Sequence, residues 1–495
     1  MIDIRRTKDA EALRQIAIVQ DAELRRLHER LQELAKENAA LRGLSGEQLE
    51  EQLRLIEKEI AEATARAQGG SERRPHDRGP HDEKKQQKGH GPQPQPELPV
   101  IDVEHKLDAP DEVCTACGGH LDEWTDQFED SEEIDVVEIQ YVKKRHRRQK
   151  YRCKCGGKIE TALGPTKLIA GGRYSLDFAI HVAIAKYLDH IPLDRQTNRM
   201  RRAGLEVTTQ TLWDQTWALA LRLEQTAARI HQHVLEQDVA IGDETHWKRL
   251  NEKKNGFTWT LVTDTATSYK VLNTRSNEAA DEMLAGFDGV LVADGYVIYP
   301  SQSKKRGFVL ANDWCHVRRK IFDAEGTSPS EATAFLDDIG KLFSIEREIA
   351  ERAKGLEEKA KLELTYTIRQ ERSKPIVNAI GTRAAELRAV PGTPIAKAIT
   401  YLDNHWRGLI VFLTDPRVPI TSNAAERALR APVLGRKNYL GSRSDRGMKA
   451  AGILYTVLAT AVQNEIDPAK YIRADVEASL RDEKYPLPHE LVGQI

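Results

Sequence analysis

Apolar residues recur along this chain with more than one period. Between residues 8 and 66 they step by three and four, and Leu24, Leu27, Leu31, Leu34, Asn38 and Leu41 mark the seam of a coiled coil. Asn38 falls on that seam, where one amide among leucines favours a defined register at some cost in stability. Residues 1–66 are therefore expected to form an α-helical coiled coil, with a parallel dimer as the simplest product and a helical hairpin closing on itself as the alternative. After Gly43, Ser45 and Gln48 supply a capping-box pattern that restarts a helix with Leu49, Leu53, Ile56 and Ile60 on one face. Over 67–100 the periodicity disappears into Gly, Pro, His, Gln and charge. Such a stretch buries too little surface to offset its conformational entropy and predicts a disordered linker.

Helical spacing returns over 175–234, interrupted at Pro192 and Gly204. Within the expected helical segment 170–235, Asp194 to Ala203 and Thr209 to Leu221 flank a Gly-containing turn, the layout of a helix-turn-helix or of an ordinary helical hairpin. Arg199, Arg201 and Arg202 favour the DNA-binding version. From Val239 the pattern shifts to strands: Val239–Asp243, Phe257–Thr263, Tyr269–Thr274, a helix Asn277–Ala285, then strands Val290–Asp294 and Phe308–Asn312. Three strands on short turns, a helix and a further strand ending in aspartate is the order of a ribonuclease-H-like α/β fold. That fold can set the first and fourth strands side by side, bringing Asp243 and Asp294 together. Residues 236–465 are expected to form this domain, with a helical insertion at about 325–412 and a C-terminal tail over 466–495.

Composition narrows the class. At 495 residues with 40% hydrophobic content the chain is multidomain and mostly globular. No apolar run approaches the roughly 20 residues of a membrane span, and the N-terminus lacks a secretory stretch, so a cytoplasmic protein without membrane partners is expected. The net charge of −2 leaves nucleic acid open, because charge can segregate locally. Four of the five cysteines form two knuckles, Cys114-Thr115-Ala116-Cys117 and Cys153-Lys154-Cys155, each followed by paired glycines. Four thiolates complete a closed tetrahedral site, so Cys114, Cys117, Cys153 and Cys155 are expected to hold one structural Zn²⁺ in a zinc ribbon spanning 101–165; four unrelated buried cysteines are the alternative. Between the knuckles the run Lys143, Lys144, Arg145, His146, Arg147, Arg148 is dense enough to favour DNA phosphate contacts over a merely solvated strand face.

The chemistry centres on carboxylates. Asp243 and Asp294 close two hydrophobic runs, and carboxylates delivered at strand ends suit divalent ions that act on phosphodiesters. Glu426 lies on a later helix with Asn423 and Arg430 on its face, though on spacing alone an ordinary first-turn glutamate is the stronger reading. A nucleophile and base pair from Cys315 and His316 is disfavoured, since adjacent helical residues point apart.

In combination, Gly242-Asp243-Glu244-Thr245, Asp294-Gly295-Tyr296, Trp314-Cys315-His316-Val317-Arg318-Arg319-Lys320, Asn423-Ala424-Ala425-Glu426-Arg427-Ala428-Leu429-Arg430 and Gly435-Arg436-Lys437-Asn438-Tyr439 resemble the transposases of bacterial insertion sequence sixty-six over nearly the whole chain. The resemblance implies a DDE transposase whose catalytic triad Asp243, Asp294 and Glu426 binds two Mg²⁺ (or Mn²⁺) ions. Such an enzyme cuts the 3′ ends of the element and transfers them to target DNA. Implied partners are the terminal inverted repeats, target DNA, a second copy in a homodimer or higher oligomer, and small accessory proteins of the same element. Arg436, Lys437, Arg443 and Arg446 are candidate DNA contacts near the site, with Arg318, Arg319 and Lys320 weaker ones. The family usually carries Asp-Asn before Asn423 where this chain has Thr421-Ser422, and proline after the first motif where this chain has His246-Trp247. Glu244 is an alternative to Asp243. A nuclease of the same fold without strand transfer, or a zinc-ribbon DNA-binding regulator with an inactive catalytic domain, are the alternative functions.

Overall fold

The structure, a computed structural model, describes residues 141–152, 159–162, 164–165 and 167–493. The expected coiled coil, the linker and the four candidate zinc ligands Cys114, Cys117, Cys153 and Cys155 lie outside the described residues. Two short strands, β1 (Lys150–Arg152) and β2 (Ile159–Thr161), pair antiparallel with Lys150 opposite Thr161. The basic run ahead of β1 is exposed from Lys143 to Lys150, and Arg148 Nε donates to Ala162 O at 2.6 Å.

Helices α1 (Leu176–Tyr187), α2 (Leu193–Arg202) and α3 (Thr209–Leu235) follow. Ser175 and Thr208 cap α1 and α3 by accepting from Phe178 N and Thr211 N, as expected of hydroxyl residues before an apolar run. The stripe Leu212, Leu219, Leu223, Ile230 and Val234 is fully buried, so α3 continues for 27 residues and its later turns join the core of the sheet.

That sheet has five strands in the order β5-β4-β3-β6-β7. The strands β3 (Val239–Trp247), β4 (Gly256–Val262) and β5 (Thr267–Leu272) are mutually antiparallel, while β6 (Val290–Ala293) and β7 (Val309–Asn312) run parallel to β3. The connections to β6 and β7 carry α4 (Asn277–Leu284) and α5 (Ile298–Arg306), in keeping with the crossover that a parallel neighbour demands. Helix α5 was not anticipated; its polar surface, with buried Ile298, Tyr299 and Gln302, weakens the apolar period.

β3 extends four residues beyond the end that its hydrophobic run suggests. Glu244 to Trp247 pair with Trp259 to Gly256 of β4, and the polar side chains that looked like a strand end are satisfied by tertiary partners instead. Asp243 therefore sits within the strand, at the point where pairing with the shorter β6 stops.

Helix α6 (Trp314–Phe322) follows β7, and the expected helical insertion is present as α7 (Pro329–Arg352), α8 (Glu358–Ile368), a π-helical turn, α9 (Lys374–Glu386), α10 (Pro394–Leu409) and the short α11 (Val411–Thr414). Phe335, Ile339, Leu342, Val377, Ile380 and Leu402 share one core with Val290 and Val292, so the insertion packs on the sheet. Arg369 is buried in that π turn, paired with Glu346 at 2.7 Å and donating to Phe412 O at 2.9 Å and Val418 O at 3.0 Å. It thereby fixes the segment leading to α12 (Asn423–Ala428), the helix of Glu426.

After α13 (Arg430–Tyr439), helix α14 (Asp445–Gln463) lies along β5. Thr456 Oγ1 accepts from Tyr269 N at 2.9 Å and Thr460 Oγ1 from Thr267 N at 3.2 Å, covering a sheet edge that would otherwise present open donors. The expected C-terminal tail folds as well: α15 (Pro468–Ser479), capped by Asp467, buries Tyr471, Ile472 and Val476 in the same core. Among the described residues no helix is long and apolar enough to cross a membrane.

Candidate active site

Strand alternation decides where the carboxylates point. Val239 and Ile241 of β3 pack with Val290 and Val292 of β6, whereas Ala240, Leu291 and Ala293 belong to the other core. Asp243 and Asp294 continue the first series, and the β3–β6 register, with Ile241 opposite Val292, sets them opposite each other when carried two residues further. Both aspartates thus share the sheet face on which α12 packs, against β3 and β4. Glu426 lies on that helix, half-buried.

Few protein donors reach these three groups. Asp243 Oδ1 accepts from Glu244 N at 2.7 Å and Asp294 Oδ1 from Tyr296 N at 2.9 Å, and Glu426 accepts none among the described residues. Burial, then the charges of Glu244, Asp294 and Glu426, push the Asp243 carboxyl up to about 7 despite the bond from Glu244 N. Carboxylates from three separate elements are therefore close enough to repel, with lone pairs to spare.

Glu244 points to the opposite face. It is wholly buried, receives Arg275 Nε at 2.6 Å and the Tyr299 hydroxyl, and the Arg275 guanidinium stacks 3.4 Å over the Tyr296 ring. Burial is the main reason its carboxyl is raised, with its hydrogen bonds opposing. Its oxygens are committed to this network, whereas Asp243 accepts only from Glu244 N, and the Asp294 charge acts on both carboxyls.

Gly295 follows Asp294 beneath α10, where a Cβ would come within 2.7 Å of both Tyr401 Oη and His405 Nε2. Burial, then the Asp294 and Asp313 charges, push the Tyr401 hydroxyl up to about 12.

The junction of β7 and α6 supplies Asp313, which the sequence reading does not single out, beside His316, which it weighs only as a base for Cys315. Asp313 is buried and caps α6, its Oδ1 accepting from Cys315 N at 2.5 Å; its Oδ2 accepts from Ser422 Oγ at 2.7 Å and His316 Nδ1 at 3.1 Å. Burial alone would raise the Asp313 carboxyl, but these bonds hold it below its usual range. Ser422, which replaces an amide-bearing residue in the resembling motif, is the N-cap of α12 and so links Asp313 to the helix of Glu426. The available signal was an aspartate immediately before a helical run with histidine three residues on. Burial and the Asp313 charge push the Cys315 thiol up to about 11, which disfavours its thiolate.

The basic candidates divide. Arg436 donates to Thr245 Oγ1 at 3.2 Å and to His246 O, tying α13 to β3. Lys437, Arg443 and Arg446 are exposed, and Arg446 lies 6.0 Å over the Trp217 ring. Arg318, Arg319 and Lys320 are exposed on α6.

Comparison with known proteins shows the family of the chain. The chain is 28% identical over 402 residues to uncharacterized protein y4jD of Sinorhizobium fredii (strain NBRC 101917 / NGR234), covering 77% of this chain and 76% of that one. It is 28% identical over 424 residues to uncharacterized protein y4hP of the same organism (79% and 75%), and 30% identical over 365 residues to its uncharacterized protein y4qI (69% and 66%). Residues 111–156, which include all four knuckle cysteines, match the zinc-finger binding domain of transposase IS66. Residues 171–450, spanning the sheet, the insertion and all three carboxylates, match the Transposase IS66 family, and the chain belongs to that family.

Proposed function

We propose that this protein is a DDE transposase that binds the ends of its insertion sequence, cuts their 3′ strands and joins them to target DNA, with Asp243, Asp294 and Glu426 as the catalytic carboxylates. The observation that carries the reading is the convergence of these three groups from β3, the end of β6 and α12, close enough that the Asp294 and Glu426 charges add to the burial and the Glu244 charge that raise the Asp243 carboxyl to about 7. The strand order, three antiparallel strands followed by two parallel ones, supports a ribonuclease-H-like fold. The donor set fits divalent ions: hard carboxylate oxygens, sparsely hydrogen-bonded, suit Mg²⁺ or Mn²⁺. Two such ions would supply the positive charge that activates the attacking oxygen and stabilises the leaving one.

The chain's own residues do the rest. Asp243 and Asp294, held by strand register, keep two carboxylates on a rigid sheet, while Glu426 approaches from a helix fixed through Ser422 and Arg369. The exposed cations Lys143, Lys144, Arg145, Arg147 and Arg148, with Lys437, Arg443 and Arg446, offer phosphate contacts that position DNA, and the zinc finger, on one Zn²⁺ held by Cys114, Cys117, Cys153 and Cys155, adds end binding. Arg436 acts through β3, holding Thr245 and thus the strand of Asp243.

Asp294→Ala is expected to leave binding of duplexes carrying the element's inverted repeats unchanged while lowering Mg²⁺-dependent end cleavage at least about a thousandfold, the scale of losing several kcal/mol of charge stabilisation. Cleavage at the wild-type rate would overturn the assignment. A pre-cut 3′ end incubated with target duplex should yield joined product; hydrolysis without joining would leave a nuclease.

A further inference from the structure

The ligating atoms of Asp313, His316 and Glu426 lie within 4.8 Å of one another, next to the carboxylates assigned above. They do not play equivalent parts. Asp313 has no exposed side-chain surface, and both its oxygens are taken by Cys315 N, Ser422 Oγ and His316 Nδ1. His316 is half-buried and uses only Nδ1 in that bond, so Nε2 remains its free ligating atom. Glu426 accepts no hydrogen bond among the described residues. A carboxylate that orients a histidine through one ring nitrogen while the other faces a cation is the usual support for a metal-bound imidazole.

We propose that His316 is a fourth protein ligand of the divalent-ion site, its Nε2 joining Glu426 on one ion, with Asp313 as the positioning residue that sets the ring and, through Ser422, the helix carrying Glu426. The inference rests on the reading of Asp243, Asp294 and Glu426 as ion ligands. It has a chemical consequence: imidazole nitrogen is softer than carboxylate oxygen, so this ion site should favour Mn²⁺ over Mg²⁺ more than an all-carboxylate site would. The Ser422 hydroxyl reaches the Asp313 carboxylate and so ties it to the helix of Glu426.

The test uses the full-length protein titrated with Mn²⁺ and pulsed electron paramagnetic resonance, which detects ¹⁴N bound to the ion without any need for turnover. The wild type should show a directly coordinated nitrogen. His316→Gln should lose that signal and bind Mn²⁺ roughly tenfold or more weakly. Asp313→Asn should keep the nitrogen signal but bind roughly tenfold more weakly, as loss of an orienting partner does. Absence of nitrogen coupling in the wild type, which requires no variant to fold, overturns the proposal, as does a signal that persists in His316→Gln. Asp294→Asn separates the two levels: if it weakens Mn²⁺ binding while no nitrogen is seen, only the role of His316 falls. If Mn²⁺ affinity is indifferent to Asp294, the carboxylate site itself is wrongly assigned.

Discussion

Asp243 and Glu244 are neighbours in sequence with opposite duties. Without ions, the fold holds the Asp243 carboxyl at about 7 against an ordinary value of 3.8. Between those values the native state binds more protons than the unfolded chain, so stability falls as pH rises through that window. At pH 8 in EDTA, Asp243→Asn should therefore melt higher than the wild type, by a margin worth a few kcal/mol that shrinks toward pH 5, and added Mg²⁺ should stabilise only the wild type. A pH-independent difference in melting temperature would contradict this. Glu244→Ala should behave in the opposite sense, destabilising by about 3 kcal/mol at neutral pH because it strands Arg275 and the Tyr299 hydroxyl, which urea unfolding would measure. Sequence placed both acids at one spot; only strand parity separates them, and parity becomes useful once the packing of Val239 and Ile241 shows which face is which.

Among elements, the ones with long apolar stripes were legible and the ones shaped by partners were not. The β4 and β6 runs, with every residue of β6 buried, announce interior strands. The end of β3 was misjudged because Glu244 and Thr245 look like loop residues until Arg275, Tyr299 and Arg436 engage them. Helix α5 and the folded α15 were missed for a related reason: Gln302 and Asp475 are buried polar groups whose partners, Asn277 and Thr226, lie elsewhere in the chain. The turn after β6 is a testable case of element geometry. Gly295→Ala would push against Tyr401 and His405 and displace the adjacent Asp294, so a loss of about 1–3 kcal/mol of stability is expected. End cleavage should fall beyond what that stability loss explains, and unchanged cleavage in a measurably destabilised variant would show that the contact does not position Asp294. Removing the Tyr401 hydroxyl and shortening His405 in the same background should recover part of the activity.

At the scale of the whole molecule, α1, α3, α14 and α15 join the sheet in one core, and the insertion shares the second core with β6. A fragment covering 165–493 should therefore melt cooperatively and keep its thermal shift with Mg²⁺; among the described residues it loses the packing of Tyr141 on Phe178 and His181. It should bind DNA with a smaller salt dependence than the full chain, since it lacks the exposed run Lys143 to Lys150; fluorescence anisotropy across salt concentrations reads both. A fragment that fails to melt cooperatively would place essential core contacts before residue 165. The sequence by itself determined the succession of strands and helices along the chain, the helical insertion, the carboxylates worth watching and the family, because local apolar periodicity and short motifs record these directly; the full order of strands in the sheet came from the structure. Only the tertiary structure decided that Glu244 is taken up by Arg275 and Tyr299 while Asp243 is left clear of them, and that Asp313 grips His316 and Ser422. Those relations depend on side-chain direction and on partners distant in sequence, 31 and 55 residues away for Glu244 and 109 between Asp313 and Ser422, which no local pattern encodes.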